Sequence, residues 1–168
     1  LMTVILTILA AVSFLFSEYS NPLTIGSLGL LDKISISIFE GVSGRTAGFS
    51  TIDYANALPA TEVLMTLMMF IGGATASVAG GVKVTTMFIL TLSVVALIRE
   101  KTYVSAFGRE IDQDTIKRSY AIFFVSLGFV FICIFLLALT NSSIQFNHIV
   151  FESFSAFGTV GLSSGATE

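Results

Sequence analysis

The sequence predicts an all-α membrane protein built from repeated units of transmembrane helix, re-entrant half-helix, loop and transmembrane helix. Three observations predict it. The 168 residues are 54% hydrophobic and only 11% charged, where a soluble domain carries about 25% charge. A long apolar segment, residues 61–98, is interrupted by glycines. Two short apolar runs, each with one acid, are followed by similar Gly/Ser/Thr loops. The composition excludes a disordered chain. A net charge of −3, from 8 basic and 11 acidic residues, offers no basic field for nucleic acid. A single cysteine, Cys133, excludes an internal disulfide framework or a cysteine zinc site.

Residues 1–16 form an apolar helix slightly short of the ~20 residues a full span needs. The run has no basic leader and no small-residue cleavage site, so it is not read as a signal peptide. The chain is expected to be a segment of a longer membrane protein. Residues 17–32, with Asn21-Pro22, Gly26 and Gly29, read as a loop. Residues 33–41 make a short apolar helix carrying Glu40, about 14 Å long and half a bilayer deep. As one helix, residues 61–98 would run about 57 Å, against a hydrocarbon core of about 30 Å. The stretch from Gly72-Gly73 to Gly80-Gly81-Val82-Lys83 supplies a break. Non-helical backbone survives at that depth only within protein or beside water.

Residues 99–118 are polar and hold five of the eight basic residues, Arg99, Lys101, Arg109, Lys117 and Arg118. The positive-inside rule makes this loop cytoplasmic. Residues 119–140 form a clean span, and residues 148–157 are the second short run, carrying Glu152.

The two short runs form an internal repeat. Phe39-Glu40 matches Phe151-Glu152, Ser43 matches Ser155, and Thr46-Ala47-Gly48-Phe49-Ser50 matches Thr159-Val160-Gly161-Leu162-Ser163 after a one-residue gap. Both loops lie on the side of the membrane opposite the basic loop. Glycine in a Thr-x-Gly run opens backbone conformations closed to other residues. Carbonyl oxygens can then replace the hydration shell of a cation, as in potassium filters built on Thr-Val-Gly loops. Thr159-Val160-Gly161 is that tripeptide.

The chain resembles the Trk/Ktr/HKT superfamily of potassium transporters, of the bacterial TrkH/KtrB type. Three motifs carry the resemblance: Arg45-Thr46-Ala47-Gly48-Phe49, the break ending in Gly80-Gly81-Val82-Lys83, and Ser155-Ala156-Phe157-Gly158-Thr159-Val160-Gly161-Leu162-Ser163. The resemblance implies four helix–pore-helix–helix units around one pore. Residues 1–99 match the third unit, with its second helix broken within 61–98. Residues 100–118 form the cytoplasmic loop and 119–168 the fourth unit as far as its filter. It implies a pore-forming subunit of a potassium uptake system in the bacterial plasma membrane, filters facing outside, with K+ as the transported ion and no covalent cofactor. It implies a homodimer of the full-length subunit controlled by a cytosolic nucleotide-binding subunit. The expected filter residues are Thr46, Ala47, Gly48 and Phe49, then Thr159, Val160, Gly161 and Leu162. The expected gating loop holds Gly72, Gly73, Gly80, Gly81 and Lys83. In that family a serine at a filter-glycine position accompanies sodium selectivity, so Gly48 and Gly161 favour potassium.

Glu40 and Glu152 are read as packing acids that hold loop donors rather than as bare charges in the pore, since charge within the membrane is costly. Arg45 is read as a brace to pore-helix carbonyls or Asp53, pointing away from the ion path. Lys83 either holds the break closed or snorkels to the interface. His148 is read as a satisfied histidine and Cys133 as packing. Two alternatives stand beside this reading. A broken-helix secondary transporter would show inverted repeats, whereas this repeat is parallel. Gly161-Leu162-Ser163-Ser164-Gly165 fits the nucleophile-elbow pattern of a serine hydrolase, but that pattern requires a strand before it and the residues here read as helix.

Overall fold

A computed structural model of the chain describes residues 2–73, 79–101, 103–141 and 143–165. Its elements are α1 (Met2–Glu18), α2 (Leu30–Ser43), a 3-10 turn (Tyr54–Asn56), α3 (Pro59–Phe70), α4 (Val84–Ile98), a hairpin of β1 (Ser105–Ala106) and β2 (Arg109–Glu110), α5 (Gln113–Thr140) and α6 (Phe146–Gly158).

The first helix runs two residues beyond its expected end and stops at Glu18. This residue was expected in a loop, yet it is fully buried. Its carboxylate accepts hydrogen bonds from Asn21 Nδ2 at 2.7 Å, Thr24 Oγ1 at 2.6 Å, Leu58 N at 2.8 Å and the Thr61 hydroxyl. The Leu58 and Thr61 donors belong to the start of α3, where the amides of a helix lack intrahelical partners. Pro59 opens that helix, where its missing N–H costs nothing. One carboxylate therefore ties the end of α1, the turn after it and the start of α3.

Helix α2 runs 14 residues, longer than the nine expected from residues 33–41. It crosses α1 closely: a Cβ built on Gly41 would lie 2.8 Å from Ala11 N. Small residues let helices approach in this way where no hydrophobic force drives them together. Lys33 in its first turns donates to Tyr19 O at 2.7 Å and sits 4.2 Å from the centre of the Tyr19 ring.

Residues 61–98 are two helices. After α3 the chain leaves at Ile71 and returns at Val82, which pair as a parallel bridge. Gly72 N donates to Val82 O at 2.9 Å and Val82 N to Phe70 O at 2.9 Å. The broken backbone is thus paired at its base, as burial away from water requires. A Cβ on Gly72 would lie 1.8 Å from Gly80 O, so no larger residue fits where the strands of the break meet. The expected break residues 74–78 lie outside the described residues.

The basic segment differs from the expected loop. Residues 105–110 form a hairpin whose two turn residues, Phe107 (φ 51°) and Gly108 (φ 77°), are both left-handed, as a two-residue hairpin turn requires. Phe107 stacks on Phe88 of α4 with ring centres 6.2 Å apart. Helix α5 starts at Gln113, so Lys117 and Arg118 lie on its first turns rather than in the loop. Asp114 in the first turn complements the positive end of the helix dipole and explains the earlier start. Among the described residues α5 is the helix long and apolar enough to cross a membrane. At 28 residues it is about 42 Å long.

Two buried clusters hold the elements together. Phe14, Ile25, Tyr54, Met65, Met69, Phe151, Val160 and Leu162 join α1, α3 and α6. Phe70, Val82, Val130, Ile134 and Ile149 join α3, the break, α5 and α6. Phe70 is central to the second, with its ring 5.6–5.8 Å from those of Phe123, Phe154 and Phe157.

Because Gly41 has no room for a side chain, Gly41→Val in the full-length protein is expected to destabilise it by about 1–3 kcal/mol, the usual range for overpacking. A thermal unfolding midpoint in detergent that does not fall would show that α1 and α2 do not cross there.

Candidate functional site

Each short helix, α2 and α6, ends in a loop whose backbone turns left-handed twice. After α2, Thr46 has φ 81° and Gly48 φ 74°; after α6, Thr159 has φ 53° and Gly161 φ 91°. Left-handed backbone is strained by roughly 1–2 kcal/mol for a residue with a side chain. Thr46 and Thr159 therefore need surrounding structure to hold them there, and such outliers cluster at functional sites.

Matched side chains supply the hold. At the end of α2, Ser43 O accepts from Ala47 N at 3.1 Å. The Ser43 hydroxyl donates to Phe49 O and accepts from Phe49 N at 2.9 Å. At the end of α6, Ser155 O accepts from Val160 N at 2.9 Å and its hydroxyl donates to Leu162 O at 2.6 Å. One turn earlier stand the acids. Glu40 Oε1 accepts from Thr51 N at 2.7 Å, Thr51 Oγ1 at 2.8 Å and Ser50 Oγ at 3.2 Å, and Oε2 accepts from Tyr54 OH at 2.8 Å. Glu152 Oε1 accepts from Ser163 Oγ at 2.5 Å and Ser164 N at 3.2 Å. The repeated serines and acids thus occupy equivalent places and clamp equivalent loop residues. Both acids hold loop donors.

The two loops meet. A Cβ on Gly48 would lie 2.0 Å from Val160 O, whereas one on Gly161 would find Gly48 Cα at 3.9 Å as its nearest neighbour. Their flanks differ: Val160 and Leu162 are buried in the first core cluster, while Phe49 is 71% exposed. Ala47 is exposed beside it. A cavity of about 370 Å³ borders Glu152, Thr159, Gly161 and Ser163.

The helix break lies against these loops. Gly80 N donates to Thr159 Oγ1 at 2.9 Å. Gly81 has φ 72°, Gly73 O accepts from Val84 N at 3.3 Å, and Lys83 Nζ donates to Ala79 O at 2.6 Å. The lysine thus caps the break from the start of α4. Arg45 reaches none of its expected partners. Its Nη2 donates to Gly72 O at 3.2 Å, and its Nη1 donates to Thr3 O at 2.9 Å and Thr7 Oγ1 at 3.3 Å. Asp53 instead caps the 3-10 turn, accepting from Ala55 N at 2.9 Å and Asn56 Nδ2 at 2.8 Å. A short carboxylate next to free turn amides takes the local donor.

His148 is partnered: Nδ1 lies 2.9 Å from Ser164 Oγ and 3.9 Å from Glu62 Oε1. The buried Glu62 also accepts from Asn147 Nδ2 at 2.9 Å, joining the starts of α3 and α6. Sequence reading assigned no role to Glu18 or Glu62, because their partners lie up to 86 residues away. The hydrolase geometry is not built. Ser163 bonds Glu152, and His148 meets both Ser164 and Glu62 through the same nitrogen, whereas a nucleophile–base–acid relay uses the two ring nitrogens separately.

The family model described as TrkH, cation transport protein, matches residues 1–168. The chain belongs to the TrkH family. It is 42% identical over 165 residues to Ktr system potassium uptake protein B of Bacillus subtilis, covering 98% of this chain and 37% of that protein. It is 38% identical over 168 residues to potassium/sodium uptake protein NtpJ of Enterococcus hirae, again 98% of this chain and 37% of the relative. The chain therefore spans little more than a third of the length of these relatives. The crystal structure of the potassium transporter TrkH from Vibrio parahaemolyticus shares its fold, with a TM-score of 0.71 at 17% identity over 95% of this chain and 41% of that one. The family is described as one of cation transport proteins and is not a family of enzymes.

Among the described residues Glu40 accepts four hydrogen bonds and Glu152 two. Unsatisfied buried donors cost about 1–3 kcal/mol each. Glu40→Ala is therefore expected to lower the thermal stability of the full-length protein by more than Glu152→Ala does. Equal effects in detergent melting curves would show that the clamp of the first loop is no stronger than that of the second.

Proposed function

We propose that this chain supplies two of the filter loops of a potassium-conducting pore, together with the gate beneath them. The observation that carries this reading is the repeated backbone: Thr-x-Gly with both threonine and glycine left-handed, twice, with the two loops in contact at Gly48 and Val160. Where φ alternates in sign along an extended chain, successive carbonyls turn to one side, and a row of such oxygens replaces the hydration shell of a cation. In this reading K+ crosses between carbonyls of Thr46, Ala47, Gly48 and Phe49 and of Thr159, Val160, Gly161 and Leu162. Residues 1–99 form one unit, residues 100–118 its cytoplasmic connection and residues 119–168 part of the next. The exposure of Ala47 and Phe49 fits a loop that faces further units of the same kind. The relatives support the ion: one is named for potassium uptake and the other for potassium and sodium uptake.

Gly72, Gly73, Gly80, Gly81 and Lys83 form the gating segment in this reading, because the break they border lies directly against Thr159. The full-length subunit works as a homodimer in the plasma membrane with the filters outside. In this reading the basic segment 99–118 faces the cytosol, and a cytosolic nucleotide-binding subunit controls the pore. The placement of five of the eight Lys and Arg residues in that segment supports the orientation.

Substitutions at the two glycines separate the filter reading from a purely structural one. Gly161→Ser meets only backbone strain of about 1–2 kcal/mol, since nothing crowds its Cβ position. Full-length protein carrying it, expressed in a potassium-uptake-deficient bacterium, is expected to take up rubidium with reduced discrimination against sodium. Gly48→Ser has no room beside Val160 O and is expected to abolish uptake. Unchanged selectivity in Gly161→Ser, in protein that reaches the membrane, would remove Gly161 from the ion path.

A further inference from the structure

The helix break is bonded at both ends to filter-type loops, and the two bonds go to different loops. At its start, Gly72 O accepts from Arg45, the residue immediately before the left-handed Thr46. At its end, Gly80 N donates to the hydroxyl of the left-handed Thr159. The Arg45 guanidinium spans three groups on two elements: Gly72 O on the break, and Thr3 O and Thr7 Oγ1 on α1. Its Nε is buried with no partner among the described residues, so the two terminal nitrogens do the holding. A guanidinium presents its donors in a fixed planar fork on separate nitrogens, whereas an ammonium has three rotatable donors on one nitrogen.

We propose that Arg45 is a positioning residue that couples the Thr46 loop to the helix break. Together with the Gly80–Thr159 bond it ties each described end of the break, at Gly72 and at Gly80, to one of the two loops. The break cannot shift at Gly72 without freeing the Arg45 side chain and hence the backbone before Thr46. It cannot shift at Gly80 without freeing the Thr159 hydroxyl. A signal that moves α4 would therefore alter the filter loops as well as clear the path beneath them. This rests on the pore reading given above and assigns a residue to the coupling within it. The Arg45 guanidinium is directed at the Thr3 and Gly72 carbonyls and the Thr7 hydroxyl, which solvate its charge.

The test is a double-mutant cycle in the full-length protein, co-expressed with its cytosolic subunit in a potassium-uptake-deficient bacterium. Arg45→Gln and Arg45→Lys are each combined with Gly72 or with Gly72→Ala, whose added Cβ displaces the break. Rubidium uptake is read as KM and maximal rate, normalised to protein in the membrane. Arg45→Gln is expected to raise the maximal rate about threefold or more at unchanged KM, the low end of coupling between contacting residues. Arg45→Lys should fall between it and the parent. In the Gly72→Ala background the Arg45 substitutions should have almost no further effect. Equal effects in both backgrounds, a lower rate at full abundance, or failure of both Arg45 variants to accumulate would overturn the coupling and make Arg45 a folding residue. Failure of the pore reading shows itself separately, as unchanged ion selectivity in Gly161→Ser.

Discussion

A carboxylate and a serine on each short helix hold the loop that follows it, and the rest of the site depends on this clamp. Left-handed backbone at Thr46 and Thr159 is unfavourable by itself. In a membrane its polar groups also have no water to bond. Ser43 and Ser155 take the backbone of Phe49 and Leu162, while Glu40 and Glu152 take the residues after them. Each loop is thereby bonded at two levels to the helix that delivers it. The clamp explains why acids stand in otherwise apolar helices: a carboxylate accepts several hydrogen bonds at once, and hydrogen bonds to a charged group are stronger than neutral ones.

The same principle governs the break between α3 and α4. The interrupted backbone pairs with itself at Ile71 and Val82, while Gly72 O, Ala79 O and Gly80 N bond the side chains of Arg45, Lys83 and Thr159. The cations at this depth are directed at carbonyl oxygens. A carbonyl spares the structure a second buried charge, and it leaves the carboxylates to the loop amides and hydroxyls. At the site itself, Glu40 and Glu152 hold the loops, and Arg45 and Lys83 bond the break.

Much of this was legible in the sequence because it rests on local chemistry. The length of residues 61–98 exceeds a bilayer, so a break was required, and four glycines marked its place. The repeat of Glu, Ser and Thr-x-Gly fell at matching offsets apart from one inserted residue before Thr159, and the structure gives those residues matching bonds. What could not be read were bonds between distant segments. Glu18 and Glu62 look like ordinary acids at helix ends, yet each joins elements far apart in the chain. Asp53 was one expected partner of Arg45, but it accepts from Ala55 N and Asn56 Nδ2 of the local turn instead. The hairpin at 105–110 was hidden because two-residue strands carry almost no periodicity.

By itself, then, the sequence determined that the chain lies in a membrane, that it repeats, where its helices break, and which glycines the loops require. These follow from hydropathy, length and backbone sterics, which act on neighbouring residues. Only the tertiary structure decided the partners. It placed Gly48 against Val160, Gly80 beneath Thr159 and Arg45 on Gly72. Those contacts depend on how helices cross and on which donor reaches a given oxygen first, and neither is encoded in any single stretch of chain.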